Sequence, residues 1–169
     1  MRVFVASAIL VFCSLAVGCQ GWAYRTRTEN MLPTISENDM AIAEPGYYKS
    51  NPVERFDIVV IQAPEYVKKL TKETGDVRFM KRVIGLPGEK VELKKGKVFI
   101  NDVELNQNFD FFPSKDDFRP VTVLPNEYFL MGDNREHSLD SRYWKPATIK
   151  KEDIYSKIVE IRKDYYKDR

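Results

Sequence analysis

Past residue 19 the chain contains no cysteine, and in all 169 residues it contains one histidine, His137. The two thiols, Cys13 and Cys19, both sit in an apolar N-terminal run, so the body can hold neither a disulfide nor a thiolate zinc site. A single imidazole excludes a His-rich metal site and argues against a Ser-His-Asp triad, so acid–base chemistry near neutral pH falls to another side chain. An excess of one charge sign is missing too: 27 Lys+Arg stand against 25 Asp+Glu, a net of +2. No basic stripe gathers on any one segment, which excludes a nucleic-acid binder held by net electrostatics. Internal repeats, low-complexity tracts and a helix-turn-helix pattern are likewise lacking. What is present is 43% hydrophobic residues in a chain of one-domain length. Such a chain buries roughly two thirds of its unfolded surface without disulfide help.

The run from Val3 to Cys19 carries no charge and is followed by Trp22 and Tyr24 before Arg25. A spanning helix needs about 20 apolar residues, a length this stretch reaches by taking in Gln20 and Gly21. The expectation is a membrane anchor over residues 1–22, formed as a transmembrane helix. Arg2 favours a cytoplasmic N-terminus and an exported body, while Arg25 and Arg27 argue the other way. Two other fates use the same residues. Ala16, Val17 and Gly18 are small enough for a cleaved secretory signal, and placed before Cys19 they also fit a lipoprotein processing site. Such sites carry Leu at the third position before the cysteine, where Ala16 stands here, so Cys19 is expected to be unlipidated.

From residue 40 onward short β-rich runs alternate with turn residues. Residues 40–43, 57–62, 77–84, 90–93, 97–100, 127–131 and 154–162 read as strands, which predicts a mainly β, antiparallel body. Lys94-Lys95-Gly96 reads as a hairpin turn and Asn101-Asp102 as a second tight turn. Residues 110–120, with mixed charges, prolines and three phenylalanines, read as a long loop. Residues 163–169 read as a solvated tail.

Three segments are hard to explain as filler: residues 28–35, containing Asn30-Met31-Leu32-Pro33-Thr34; residues 80–88, containing Lys81-Arg82-Val83-Ile84-Gly85-Leu86-Pro87-Gly88; and residues 131–144, containing Gly132-Asp133-Asn134-Arg135, Ser138 and Asp140-Ser141-Arg142. In this order, and just after an apolar segment, they resemble the signal peptidase I family over residues 22–161. The resemblance implies a membrane-anchored serine endopeptidase that removes signal peptides from exported preproteins by a Ser-Lys mechanism. It implies an antiparallel β-rich core at 23–88 and 125–162, interrupted by a small inserted β cap at 89–124. The implied partners are preprotein signal peptides, membrane lipid and the export machinery, and the implied place is a bacterial-type cell membrane with the body on the exported side. No cofactor is implied, and the motifs offer no site for ATP, metal or nucleic acid.

By the resemblance, Lys81 is the general base, Ser138 orients it, Thr28 helps stabilise the oxyanion, Asp133 pairs with Arg82, and Asp140 pairs with Arg142. Extended substrate would lie against residues 23–30 and 78–81. Lys81 also has a case of its own: on a strand it shares a face with Phe79 and Val83, and burial there lowers an amine's pKa toward the range of a working base. The bland alternative is a snorkelling lysine. The departure is at the nucleophile, whose serine is replaced by Asn30. A carboxamide nitrogen is delocalised and its oxygen has no proton to lose, so acyl transfer has no attacking atom. Lys145, where the family has Gly, is a lesser departure, and His137 falls at a variable place. Three readings follow: a peptidase impaired at Asn30, a silent relative that binds signal sequences or a partner peptidase, and a self-cleaving repressor with a similar Ser-Lys site. The apolar segment and the missing helix-turn-helix count against the last.

Overall fold

In a computed structural model of the chain, described over residues 9–11 (backbone), 21–72 and 74–167, antiparallel strands form two sheets. The larger has the order β1 (Ile9–Val11), β2 (Trp22–Arg25), β3 (Met40–Pro45), β12 (Ile154–Arg162), β4 (Ile58–Gln62), β5 (Arg78–Gly85), β10 (Glu127–Met131) and β11 (Ile149–Lys150). The smaller has the order β8 (Val103–Glu104), β7 (Lys97–Ile100), β6 (Lys90–Lys94) and β9 (Phe118–Thr122). Apolar residues in these strands supply the cores. Val59, Ile61, Phe79, Val83, Leu130 and Ile154 pack in one cluster, and Tyr24, Met31, Ala41, Val60 and Met80 in a second. A third joins the sheets, bringing Ile84, Phe129 and Met131 against Val91, Leu93 and Val98. The smaller sheet therefore shares a core with the larger.

The β6–β7 turn places Lys95 at φ 50° and Gly96 at φ 79°, the left-handed pair that a two-residue hairpin requires. Glycine is needed there twice over, since a Cβ at residue 96 would lie 1.8 Å from the Ser114 carbonyl oxygen. Residues 105–117 are a long connection, and β9 begins at Phe118, inside the stretch read as loop. The alternation in Phe118–Thr122 is masked by Arg119 and Pro120, and pairing with β6 decides the conformation.

Three expectations are corrected. The transmembrane helix over 1–22 is not found: no helix among the described residues is long and apolar enough to cross a membrane. Ile9–Val11 instead pairs antiparallel with Trp22–Arg25. A short run of β-branched and aliphatic residues suits a strand as well as a helix, and pairing with β2 decides the conformation at 9–11. The remaining anchor residues, with Cys13 and Cys19, lie outside the described residues. Second, a short helix, α1 (Glu65–Thr71), is present where none was expected, with Val67 buried and Glu65 in its first turn. Third, residues 163–167 are not a free tail. Lys163 Nζ meets Asp39 at 3.0 Å and the Thr34 carbonyl at 2.6 Å, and Tyr166 N–H donates to the Asn38 carbonyl at 2.9 Å.

Candidate active site

β5 is paired with β4 along Arg78–Arg82, but β10 joins its other side only at Arg82, Val83 and Gly85. Among the described residues, 78–81 thus have no strand on that side. The segment around Asn30 and the loop after Met131 converge there. Asn30 Nδ2 donates to the Met80 carbonyl at 3.4 Å, and Asn134 N–H donates to the Asn30 carbonyl at 3.1 Å. Gly132 makes the convergence possible, because a Cβ there would lie 2.3 Å from Ser138 Oγ and 2.4 Å from the Asn30 carbonyl oxygen.

Two buried ion pairs frame this junction. Arg82 grips Asp133 with both arms of its guanidinium, Nε to Oδ1 at 2.8 Å and Nη2 to Oδ2 at 2.6 Å. The Thr34 hydroxyl donates to the same carboxylate, so one triangle joins all three motifs. Arg142 grips Asp140 likewise, with Nε to Oδ1 and Nη2 to Oδ2 both at 2.8 Å, and Gly132 N–H donates to Asp140 at 3.0 Å. Burial pushes the Asp140 carboxyl up, but the charge and hydrogen bonds of Arg142 and the Gly132 N–H outweigh it and hold the group below its usual range. Bidentate geometry of this kind is the form in which a buried carboxylate remains charged.

Lys81 is 1% exposed, and its Nζ lies 5.1 Å from the centre of the Phe79 ring. Burial draws the ammonium down from 10.5 to about 8; Asp140 and, more weakly, Asp133 pull it back, and Arg142 adds to the fall. Near neutral pH a useful fraction of such an amine is unprotonated. The opposing carboxylates are tied to arginines, which leaves Lys81 without a charge partner of its own among the described residues.

The site residues implied by the motifs thus lie in one region, buried except for the half-buried Thr28, with two differences in detail. Ser138 Oγ is buried without a hydrogen-bond partner, so the bond to Lys81 that the resemblance implies is not formed in this structure. The Ser138 hydroxyl lies against Gly132 instead. The Thr28 hydroxyl donates to Asn30 Oδ1 at 2.8 Å and meets the Thr26 hydroxyl at 3.2 Å, so it is occupied by the carboxamide beside it. Both ends of the Asn30 amide are engaged. No group of three or more His, Cys, Asp or Glu side chains among the described residues could hold a metal ion.

The structure also brings in residues that sequence reasoning passed over. Thr34 is one. Arg135 is another: 1% exposed, it donates to the Gln107 side-chain Oε1, lies 4.7 Å from the Phe111 ring centre, and is drawn by burial down to about 10. Phe112 N–H donates to the Asp133 carbonyl and Arg135 N–H to the Phe112 carbonyl, each at 2.9 Å. Arg142 meets Asp116 at 2.7 Å. The connection 105–117 is therefore laced onto the loop that carries Asp133 and Ser138. Arg135 stood in the third motif without an assigned role, and its burial depends on a segment that carries no periodic signal.

A family model for signal peptidase, peptidase S26, matches residues 1–162. A signal peptidase I from Leptolyngbya laminosa is 38% identical over 133 residues, covering 77% of this chain and 65% of that protein. A thylakoidal processing peptidase 1 of Arabidopsis thaliana is 33% identical over 123 residues, covering 71% of this chain and 36% of that protein. Signal peptidase I S of Bacillus subtilis is 31% identical over 151 residues, 81% of this chain and 76% of that protein. Among solved structures, a signal peptidase I from Enterococcus faecalis matches with a TM-score of 0.50 at 28% identity, covering 64% of this chain and 98% of the other. The chain spans a little under two thirds of the Leptolyngbya relative's length. It belongs to the S26 signal peptidase family.

Proposed function

We propose that this chain is a membrane-associated member of the signal peptidase I type whose base is in place and whose nucleophile is not. In the reaction as it would run with a serine at residue 30, the hydroxyl attacks the scissile carbonyl and its proton passes to Lys81 Nζ. The backbone N–H of residue 30 and the Thr28 hydroxyl face the oxyanion, and Lys81 returns the proton to the leaving amine. Ser138 orients Lys81 once substrate fills the cleft. Asp133 with Arg82, and Asp140 with Arg142, hold the two loops that carry these groups. Substrate is an exported preprotein laid in extended form along residues 23–30 and 78–81. The uncharged run 3–19 keeps the chain at the membrane, with the body on the exported side, where signal peptides and the export machinery meet it.

The observation that carries this reading is the burial of Lys81, 1% exposed and drawn to about 8, next in the strand to Met80, whose carbonyl Asn30 Nδ2 meets. A second reading, a silent relative that holds signal sequences or partners a working peptidase, is favoured by the full engagement of the Asn30 carboxamide by Thr28 and Met80. The two are separated by incubating the chain and its Asn30→Ser variant in detergent with a preprotein carrying Ala at the first and third positions before the cut. The unaltered chain should cleave negligibly and Asn30→Ser should restore turnover. Losing one member of a nucleophile–base unit costs about as much as losing both, on the order of a millionfold. An inactive Asn30→Ser variant would leave the binding reading. Comparable turnover by the unaltered chain would mean that another nucleophile operates, with Thr28 the first to test.

A further inference from the structure

A concavity of about 900 Å³ lies apart from the Lys81 site, between the end of β3 and the loops at Asn126 and Lys151. One wall is aromatic: the Trp22 and Tyr155 rings flank the Arg78 guanidinium, which sits 5.3 and 4.7 Å from their centres. The rim is cationic, with Lys49, Lys150 and Lys151 set against Glu127 and Glu152. Glu152 is paired with Lys150 at 3.5 Å, and Glu127 accepts from the Thr148 hydroxyl but keeps its charge, so the rim carries a net excess of one lysine. Lys49 and Lys151 have no ion-pair partner among the described residues. Leu124, next to the rim residue Pro125, is 56% exposed.

Trp22 ties this cavity to the membrane question, because it closes the uncharged N-terminal run and lines the cavity wall at once. Indole rings favour the headgroup level of a bilayer, and uncompensated lysines near an anionic leaflet favour its phosphates. An exposed leucine beside such a site suits the acyl boundary. We propose that the cavity seats the headgroup of an anionic phospholipid. Lys49 and Lys151 neutralise the phosphate, Trp22 and Tyr155 line the glycerol level, and Leu124 meets the first acyl carbons. Occupation would hold the body in a fixed orientation against the membrane that takes its N-terminal run.

The test uses the full chain in flotation with phosphatidylcholine vesicles and with vesicles that also contain phosphatidylglycerol. The ratio of the two partition coefficients removes the contribution of the apolar run. The double substitution Lys49→Gln with Lys151→Gln is expected to lower that ratio about thirtyfold, since each lysine near an anionic surface contributes about a factor of five. Lys94→Gln with Lys97→Gln removes the same formal charge from the smaller sheet, where both lysines are exposed, and is expected to leave the ratio nearly unchanged. Equal losses from the two pairs would overturn the site in favour of diffuse surface charge. Inorganic phosphate is then titrated without vesicles, following the amide resonances of Asn126 and Lys151. Saturation by phosphate alone that also abolishes the vesicle preference would overturn the lipid assignment in favour of a free-anion site. Because flotation needs no turnover, failure here is distinct from failure of the peptidase reading.

Discussion

Gly132→Ala should damage the junction more than any ordinary glycine substitution. The added methyl would fall 2.3 Å from Ser138 Oγ, 2.6 Å from Ser138 Cβ and 2.4 Å from the Asn30 carbonyl oxygen. A hydroxyl can rotate away, but a carbonyl oxygen and a Cβ cannot move without their backbones. The Asn30 carbonyl is further held by Asn134 N–H at 3.1 Å, and moving it forfeits that bond, worth about 1 kcal/mol. Overpacking a buried site costs about 1–3 kcal/mol, and with two immobile neighbours the upper end applies. For a domain of this size, about 3 kcal/mol lowers Tm by roughly 6–12 °C. Ser138→Gly in the same chain removes two of the three collisions and should recover part of the loss, which a double-mutant cycle followed by thermal and denaturant unfolding would read as coupling. An unchanged Tm for Gly132→Ala, or additive effects of the two substitutions, would refute the packing of residue 30 against the 132–138 loop.

The Lys81 ammonium is also linked to stability. Its pKa falls from 10.5 to about 8 on folding, so the unfolded chain binds more protons between those values. Folding stability should therefore rise with pH from about 8 to 10.5, by about 3 kcal/mol, and Lys81→Met should flatten that part of the denaturation profile. Asp133→Asn leaves the Arg82 guanidinium without its carboxylate partner at 8% side-chain exposure, and chemical denaturation should show a loss of about 3–5 kcal/mol. Arg135→Met, which keeps the volume but removes the contact with Gln107, should loosen residues 105–117, seen as faster amide exchange at Phe112. Protease added to spheroplasts should degrade the body while the N-terminal run stays with the membrane; a protected body would place it on the other side.

Where β-branched, aromatic and aliphatic residues cluster between turn residues the strands were legible: 127–131 and 154–162 match β10 and β12 at both ends. The smaller sheet was legible from its turns, because Gly96, Asn101 and Asp102 adopt the positive φ values that those residue types tolerate. The motifs pointed to Lys81, Asn30, Asp133 and Ser138, and pairing places them together because β5 and β10 part where the motif loops enter. What was not legible depends on partners remote in sequence. The 105–117 connection has no period of its own, and its conformation is set by Asp133, Arg135 and Arg142. Arg135 is buried by that connection, so its local surroundings in the chain gave no sign of it. The end of the chain, all charge and tyrosine, gave no reason to dock until Asp39 and Asn38 met it. Lys49 and Lys151 stand about a hundred positions apart and share a cavity only through the packing of β3 beside β12.

The central claim is that Lys81 is a poised base lacking only its nucleophile. The pH dependence of kcat/KM for Asn30→Ser on a preprotein substrate tests it most directly, since that profile reports the free enzyme's essential base. The account predicts a rate that rises through an apparent pKa of about 8, as Lys81 loses its proton, and that vanishes with Lys81→Ala in the same chain. Turnover that is flat from neutral pH to about 10, or that survives Lys81→Ala, would contradict it.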